Sequence, residues 1–138
     1  MIKVVVDTST LISALGWKGK PQKVMDKCLN NKFKLVSSPE IIEEIREVMF
    51  RPKFDFIDSN KKSEFIMLLS QLAEVIIPKD KVNICRDKDD NKFFELALAA
   101  KVKIIVSSDE DLLSIKEYRN IKVLSPSEFL EFIGKKKV

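Results

Sequence analysis

The sequence predicts an α/β fold in which a parallel sheet of about five strands lies between two layers of helices. Short runs rich in Val and Ile alternate with longer stretches of helical periodicity along the chain. Most of these runs lack alternating polar residues, which is typical of strands covered on both faces. The links are short, so the strands should be joined by right-handed crossovers. We expect 138 residues to form one three-layer α/β/α domain.

Local features mark where the elements begin and end. Strands are expected at residues 2–6, 33–37, 74–77, 103–107 and 121–124. Helical periodicity fills the gaps, at residues 8–15, 21–30, 39–50, 59–73, 90–101, 109–116 and 126–133. Ser38-Pro39 and Ser125-Pro126 each place a capping hydroxyl before a proline at the first helical position. Arg51-Pro52 ends the third helix, because proline does not continue a helix.

Composition indicates an ordinary soluble globular protein. The hydrophobic fraction is 45% and the charged fraction 33%, and the apolar stretches fall far short of the roughly 20 residues that a membrane helix needs. The N-terminus has no signal-peptide layout. Cys28 and Cys85 are the only cysteines and have no zinc-ligand spacing. We therefore expect a cytoplasmic protein that has no contact with a membrane.

The net charge of +4 does not show how unevenly the charges are distributed over the surface. If several acids gather at one site, the remaining surface is more basic than the total indicates. Basic residues cluster between residues 18 and 27, at Arg51 and Lys53, and in a tail from Lys135 to Lys137. Such patches are more often solvated surface than nucleic-acid contacts. Charge alone therefore assigns no partner.

The chain contains no histidine, so its chemistry cannot use imidazole as a base or as a ligand. Acids follow the predicted strands instead. Asp7 follows the first strand, Asp109 follows the fourth, and Asp87 and Asp90 begin the helix after the third. Glu44 lies in the helix after the second strand, about 7 Å along its axis from the first turn. Because parallel strands end at one edge of the sheet, these acids should gather there.

Each acid also has a structural interpretation. Asp7 could serve only as a helix cap, although the hydroxyl residues beside it could do so without charge. Glu44 lies on the border of its helix's apolar stripe, where it could equally have no role. Capping explains one aspartate at the start of the fifth helix, not three in four positions, and Asp89 is expected to face solvent. Of Asp109 and Asp111, Asp109 is nearer the strand end and is the better site candidate.

Together these acids predict a metal site. Carboxylates a few ångströms apart raise each other's pKa and destabilise the fold unless a cation offsets their charge. Ligation by oxygen without nitrogen suits Mg²⁺ or Mn²⁺. Such an ion orients and activates water and stabilises charge on a phosphodiester. We expect metal-dependent phosphate chemistry, and we expect Mn²⁺ to stabilise the fold.

The chain resembles PIN-domain proteins over nearly its whole length. The matching blocks are IKVVVDTSTLISAL, KLVSSPEIIEEIREVMFRPKF, VNICRDKDDNKFFELALAAKVKIIVSSDEDLL and IKVLSPSEFLEFI. The middle blocks most resemble the VapC-like subgroup described as toxins of toxin–antitoxin pairs. The resemblance implies a single PIN-like domain over residues 1–138, with strand order 3-2-1-4-5.

The resemblance also implies an activity. PIN proteins are typically Mg²⁺- or Mn²⁺-dependent ribonucleases, and VapC-type toxins cut cellular RNA by metal-bound water, leaving a 5′-phosphate. The family's four catalytic and metal-binding acids fall on Asp7, Glu44, Asp90 and Asp109. Asp87 and Asp111 are expected to be auxiliary acids, and Ser107 holds the place of the small hydroxyl residue before the last acid. The implied partners are an RNA substrate, an antitoxin protein and a second copy of the chain in a homodimer.

One position departs from the family pattern. Many relatives carry asparagine two residues after the first acid, where this chain has Ser9. Serine can still orient a carboxylate, a metal-bound water or a phosphate, but it has a shorter reach and no amide donor. We expect the substitution to alter the detailed geometry more than the activity.

Other functions fit the sequence less well. Haloacid-dehalogenase phosphatases need an acid two residues after the first, where Ser9 stands. Response-regulator receivers pair acids near the first strand and need a lysine after a late strand, and this chain has Val6 before Asp7 and serines after both late strands. The stronger alternative is a catalytically weak PIN fold retained as an RNA- or protein-binding module.

Overall fold

The fold is built on a six-stranded, mostly parallel sheet with helices on both faces. The computed structural model describes residues 1–135. The strands are β1 (Lys3–Val6), β2 (Lys34–Ser37), β3 (Glu74–Val75), β4 (Ile104–Val106), β5 (Glu117–Tyr118) and β6 (Ile121–Leu124). Their order is β3-β2-β1-β4-β6-β5. The strands from β3 to β6 are parallel in the expected order 3-2-1-4-5, with β6 as the fifth strand, so the predicted α/β/α class is confirmed.

Seven helices within residues 1–135 cover the sheet. They are α1 (Thr8–Gly16), α2 (Lys20–Leu29), α3 (Pro39–Met49), α4 (Ser59–Leu72), α5 (Asn91–Ala100), α6 (Glu110–Leu113) and α7 (Pro126–Lys135). Two 3₁₀ turns, Pro52–Phe54 and Lys88–Asp90, precede α4 and α5. None of these helices is long and apolar enough to span a membrane. Lys136 and Lys137 of the basic tail lie outside the described residues.

The two predicted helix starts at serine-proline pairs are present. The Ser38 hydroxyl accepts a hydrogen bond from the Ile41 amide at 3.2 Å, and α3 begins at Pro39. The Ser125 hydroxyl accepts from the Glu128 amide at 3.1 Å, while the Glu128 carboxylate accepts from the Ser125 amide at 2.9 Å. The second pair therefore forms a capping box, which satisfies two amides that would otherwise lack partners.

The sequence did not predict strand β5, and this part of the chain differs from expectation. The helix expected over 109–116 spans only Glu110–Leu113. The chain then forms a hairpin in which Tyr118 pairs antiparallel with Ile121. Arg119 and Asn120 in its two-residue turn have φ values of 48° and 66°, the left-handed conformation that such turns require. The turn lacks glycine, which is why its sequence gave no hairpin signal.

The buried centre of the sheet fixes the position of its carboxyl edge. Val4 and Val5 of β1 and Ile105 and Val106 of β4 have no exposed surface. The two strands pair in parallel, with Val6 opposite Val106. Since both strands end there, the residues that follow each strand lie side by side at the carboxyl edge of the sheet.

Candidate active site

Asp7 is the most buried acid at this edge. It follows β1, is 3% exposed, and donates its amide to the Val106 carbonyl at 3.0 Å. Its carboxylate caps α1 by accepting from the Thr10 amide at 3.0 Å, and it accepts from the buried Ser107 hydroxyl at 2.6 Å. Burial raises the pKa of Asp7, and the hydrogen bonds from Ser107 and Thr10 offset part of that effect. Asp7 is therefore both a cap and a site residue.

Ser107 connects Asp7 to Asp109. The Ser107 hydroxyl donates to Asp7 and accepts from the Asp109 amide at 2.9 Å. Asp109 in turn caps α6 by accepting from the Asp111 amide at 3.1 Å. One buried hydroxyl thus fixes the relative positions of the acids that follow β1 and β4.

Asp90 faces these two acids from the start of α5. It is half-buried, and its side chain does not cap the helix. Burial, followed by the negative charges of Asp109, Asp87 and Asp7, raises the pKa of Asp90 to about 7. Burial and the nearby negative charges both disfavour the charged carboxylate, and burial has the larger effect.

The four acids expected at the site line one cleft of about 390 Å³. Asp7, Asp90 and Asp109 lie at the sheet edge, and Glu44 reaches the cleft from α3. Ser9 is exposed and also lines the cleft, and its hydroxyl donates to an Asp7 carboxylate oxygen at 3.4 Å. The short serine side chain at this position therefore still lies within reach of the first acid.

Glu44 has a different environment from the other three acids. One of its carboxylate oxygens accepts from the Thr8 hydroxyl and the other from the Lys92 ammonium group. Lys92 also donates to Asp89 at 2.9 Å, and its side chain is only 6% exposed. Burial alone would lower the pKa of Lys92, but the hydrogen bonds and charges of Glu44 and Asp89 raise it. Glu44 therefore has its own cation within the protein.

The auxiliary acids lie at the margin of the site. Asp87 is exposed and caps the 3₁₀ turn by accepting from the Asp89 amide at 3.0 Å. Asp111 lies 3.6 Å from Arg86 in an exposed ion pair. Asp89, expected to face solvent, is largely exposed at 64% but pairs with Lys92. Asp87 acts on the site through its charge, since it contributes to the raised pKa of Asp90.

Several residues of the site were missed by the sequence reasoning. Lys92 is the most informative, because a lysine in the first turn of a helix opposes the helix dipole unless acids surround it. The position of Lys92 in the first turn of α5 could therefore have indicated that acids surround it. Asn91 beside it is 5% exposed and accepts from the Ile84 and Cys85 amides, which holds the preceding loop against α5. Trp17, Lys53 and Phe54 also line the cleft, and no sequence pattern placed them there.

The donor chemistry of the cleft suits a hard divalent cation. Carboxylate and hydroxyl oxygens surround it, and the pKa of Asp90 reflects negative charge that a cation would offset. Within residues 1–135, however, no three acidic or cysteine side chains are arranged so that they could hold one metal ion together. The ligand types therefore fit the ion, and the side-chain arrangement does not by itself define a coordination shell.

Comparisons with known proteins identify the family. Residues 3–111 match the PIN domain. The uncharacterized protein MJ1680 of Methanocaldococcus jannaschii is 35% identical over 141 residues, which cover 94% of this chain and 90% of that protein. The crystal structure of PAE2754 from Pyrobaculum aerophilum matches with a TM-score of 0.64 at 12% identity, over 98% of this chain and 91% of that one, and supports the fold alone. The chain belongs to the PIN-domain family, whose members are generally nucleases that use divalent metals.

Replacing Lys92 should destabilise the protein. We expect Lys92→Met to lower the free energy of unfolding by about 1.5–3 kcal/mol, because Glu44 would lose a charged hydrogen-bond partner in a partly buried position. Urea denaturation at pH 7 measures this loss. Lys88→Met, which changes an exposed lysine four residues earlier, is the matched control. Equal losses in the two variants would contradict a structural role for the Lys92–Glu44 pair.

The stability of the protein should depend on Asp90 in a pH-dependent manner. A carboxyl with a raised folded-state pKa favours folding while it is protonated, so its contribution is complete below 3.8 and is lost as the pH rises through about 7. In metal-free buffer, Asp90→Asn should raise the thermal midpoint by a few degrees at pH 8 and leave it nearly unchanged near pH 3.5. Thermal denaturation at both pH values tests this, with the exposed Asp26→Asn as control. A shift of the same size at both pH values would show that charge repulsion is not its cause.

Proposed function

We propose that this protein is a metal-dependent endoribonuclease that hydrolyses RNA phosphodiesters. The observation that carries the proposal is the cleft that Asp7, Asp90 and Asp109 line together, in which burial and then the neighbouring acids raise the pKa of Asp90 to about 7. Acids in this arrangement favour the binding of a proton or a cation. In a PIN-family chain without histidine, a divalent cation supplies the chemistry that imidazole cannot.

In this proposal Asp7, Asp90 and Asp109 would hold the Mg²⁺ or Mn²⁺ ion, with Glu44 as the fourth acid of the site. Because these side chains are not arranged to ligate one ion together, waters would complete its coordination. Asp87 and Asp111 would add negative charge from the margin. When bound, the ion supplies an activated water and stabilises the charge that develops on the phosphodiester.

The chain's own residues prepare the site. Ser107 orients Asp7 and positions Asp109 through its two hydrogen bonds. Thr8 and Lys92 hold Glu44 in the cleft wall. Ser9 would hydrogen-bond a phosphate oxygen of the substrate, since its hydroxyl is exposed beside Asp7. Lys53, which also lines the cleft, would supply positive charge to the RNA backbone.

The alternative function is a PIN fold that binds RNA or protein with weak or no catalysis. One observation favours it: Lys92 already offsets the charge of Glu44, so only three acids remain without a strong ion pair in the cleft. Binding without metal-dependent cleavage would support this alternative over the ribonuclease.

We extend the proposal to the biological setting expected from the sequence. The protein would act as the toxin of a toxin–antitoxin pair, form a homodimer, and work in the cytoplasm. The free thiols of Cys28 and Cys85 accord with a reducing compartment. Growth arrest on expression of the wild type, but not of Asp7→Asn, would support the toxin role.

RNA cleavage should require both the metal and Asp7. We expect the wild type to cleave a panel of RNAs in Mn²⁺ but not in EDTA, and to leave 5′-phosphate ends. Asp7→Asn should lower the rate by about 10²-fold or more, the scale of losing a group that stabilises the transition state. Gel analysis of end-labelled RNA measures the rates, with Asp26→Asn as the control. Undiminished cleavage by Asp7→Asn would identify a contaminating nuclease and remove Asp7 from the mechanism.

Metal binding should be detectable without activity. At a hundredfold excess over its Kd, Mn²⁺ should stabilise the fold by about 2.7 kcal/mol, which corresponds to several degrees in the thermal midpoint. Asp109→Asn should lose most of this shift, whereas Asp26→Asn should keep it. An unchanged midpoint in millimolar Mn²⁺ would mean that the acids of the cleft do not form a metal site.

A further inference from the structure

Two large exposed aromatic side chains lie together at the end of the cleft away from the acids: Trp17 lines the cleft, and Phe56 packs against Trp17 just outside the lining. Trp17, at the C-terminal end of α1, is 52% exposed, and Phe56, which follows the 3₁₀ turn, is 62% exposed. Their ring centroids are 5.5 Å apart in an edge-to-face contact. Large apolar side chains that are exposed side by side are more often functional than single exposed ones.

The surrounding structure holds these aromatic residues in place. Phe54 is 7% exposed and packs on Trp17, with the two ring centroids 6.1 Å apart. The segment from Phe54 to Ile57 also packs closely against Gly16, where a Cβ atom would lie 3.2 Å from Ile57 and 3.7 Å from Phe56. The absence of a side chain at Gly16 therefore permits the close approach. The Trp17–Phe56 pair is a packed surface rather than two free side chains.

The same end of the cleft also carries positive charge. Of the residues between 1 and 135 that line the cleft, Lys53 is the one cation, and its ammonium group lies 5.1 Å from the Phe54 ring centroid. Lys18 and Lys20 are exposed and follow Trp17 in the chain. The cleft therefore has carboxylates at one end and aromatic rings with a lysine at the other. Negatively charged strands with planar bases match this second end.

We infer that Trp17 and Phe56 form a stacking platform for unpaired bases of an RNA strand whose phosphodiester lies at the carboxylates of the cleft. The platform rests on the proposed ribonuclease function and adds to it the side chains of this chain that would contact the bases of the strand. Helix α1 joins the two ends, since Asp7 caps its start and Trp17 follows its last residue. Nine residues of helix span about 13 Å, so the platform receives bases near the reacting phosphodiester rather than at it.

Stacking explains why the platform would select unpaired RNA. Every base offers an aromatic face, so stacking tolerates different sequences, whereas a duplex hides these faces between neighbouring base pairs. Lys53 would contact the phosphates as a point charge, which adds affinity without sequence preference. The acids would then determine the chemistry and the aromatic pair would determine which strands enter.

Trp17 is the only tryptophan in the chain, so its fluorescence reports the platform directly. The experiment titrates the full-length protein with a single-stranded oligouridylate and with an RNA duplex of equal length. It is done in Ca²⁺ buffer, and RNA integrity is checked by gel. We expect the single strand to quench Trp17 and the duplex to quench it weakly.

Anisotropy of labelled RNA should show about tenfold weaker binding for Trp17→Ala and Phe56→Ala. Trp17→Phe, which keeps a stacking ring, should bind within about threefold of the wild type.

Phe50→Ala is the matched control, because Phe50 is 44% exposed but lies outside both the cleft lining and the Trp17–Phe56 ring contact. It should bind RNA as the wild type does. Wild-type affinity in both Trp17→Ala and Phe56→Ala, or equal quenching by the duplex, would overturn the platform. A wild-type dimer that becomes monomeric in Trp17→Ala would identify a subunit interface instead and would also overturn it.

Different results would contradict the proposed platform and the proposed ribonuclease function. Cleavage in Mn²⁺ with no effect of the aromatic variants on binding overturns the platform and leaves the ribonuclease intact. Binding that depends on Trp17 in a protein that cleaves no RNA supports the platform and overturns the ribonuclease.

Discussion

The parallel pairing of β1 with β4 is the contact on which the rest of the site depends. Its register places Val6 opposite Val106, so Asp7 and Ser107 leave the sheet side by side. A shift of one residue would turn the buried valines of β1 toward the opposite face of the sheet and would separate Asp7 from the Ser107 hydroxyl. The register therefore brings Asp7 and Ser107 together at the sheet edge. The buried valines of β1, which do not line the cleft, anchor in the core the strand from which Asp7 emerges.

The acids of this edge are stabilised in two ways. Glu44 and Asp89 share the buried ammonium group of Lys92, which stays charged because two carboxylates surround it. Asp7 instead relies on hydrogen bonds, and the pKa of Asp90 is raised by burial and by neighbouring acids. Neighbouring carboxylates without a cation raise each other's pKa and destabilise the fold. The uncompensated acids are therefore the part of the edge that we assign to function.

The sequence predicts the parts of this structure that depend on local pattern. Buried strands are readable as apolar runs, and an acid directly after a strand lies at the sheet edge whatever the surrounding loops do. Asp7 and Asp109 were placed in that way. The partner of Glu44 was not predictable, because α3 and α5 are far apart in the chain and only the folded sheet brings Lys92 to Glu44. The β5 hairpin was missed because its turn uses Arg119 and Asn120 rather than glycine.

The aromatic pair illustrates the same limit, and its position relative to Asp7 would join recognition to chemistry in the function that we propose. Trp17 and Phe56 are separated in sequence by two helices and a strand, so their contact appears only once the segment after α3 packs on Gly16. Yet α1 connects that contact directly to Asp7, and a helix of this length is a stiff rod. The distance between the aromatic rings and the carboxylates is thus set by helix geometry and not by a flexible loop. In the function that we propose, α1 would therefore set the distance between the bases that stack on the rings and the phosphodiester at the acids.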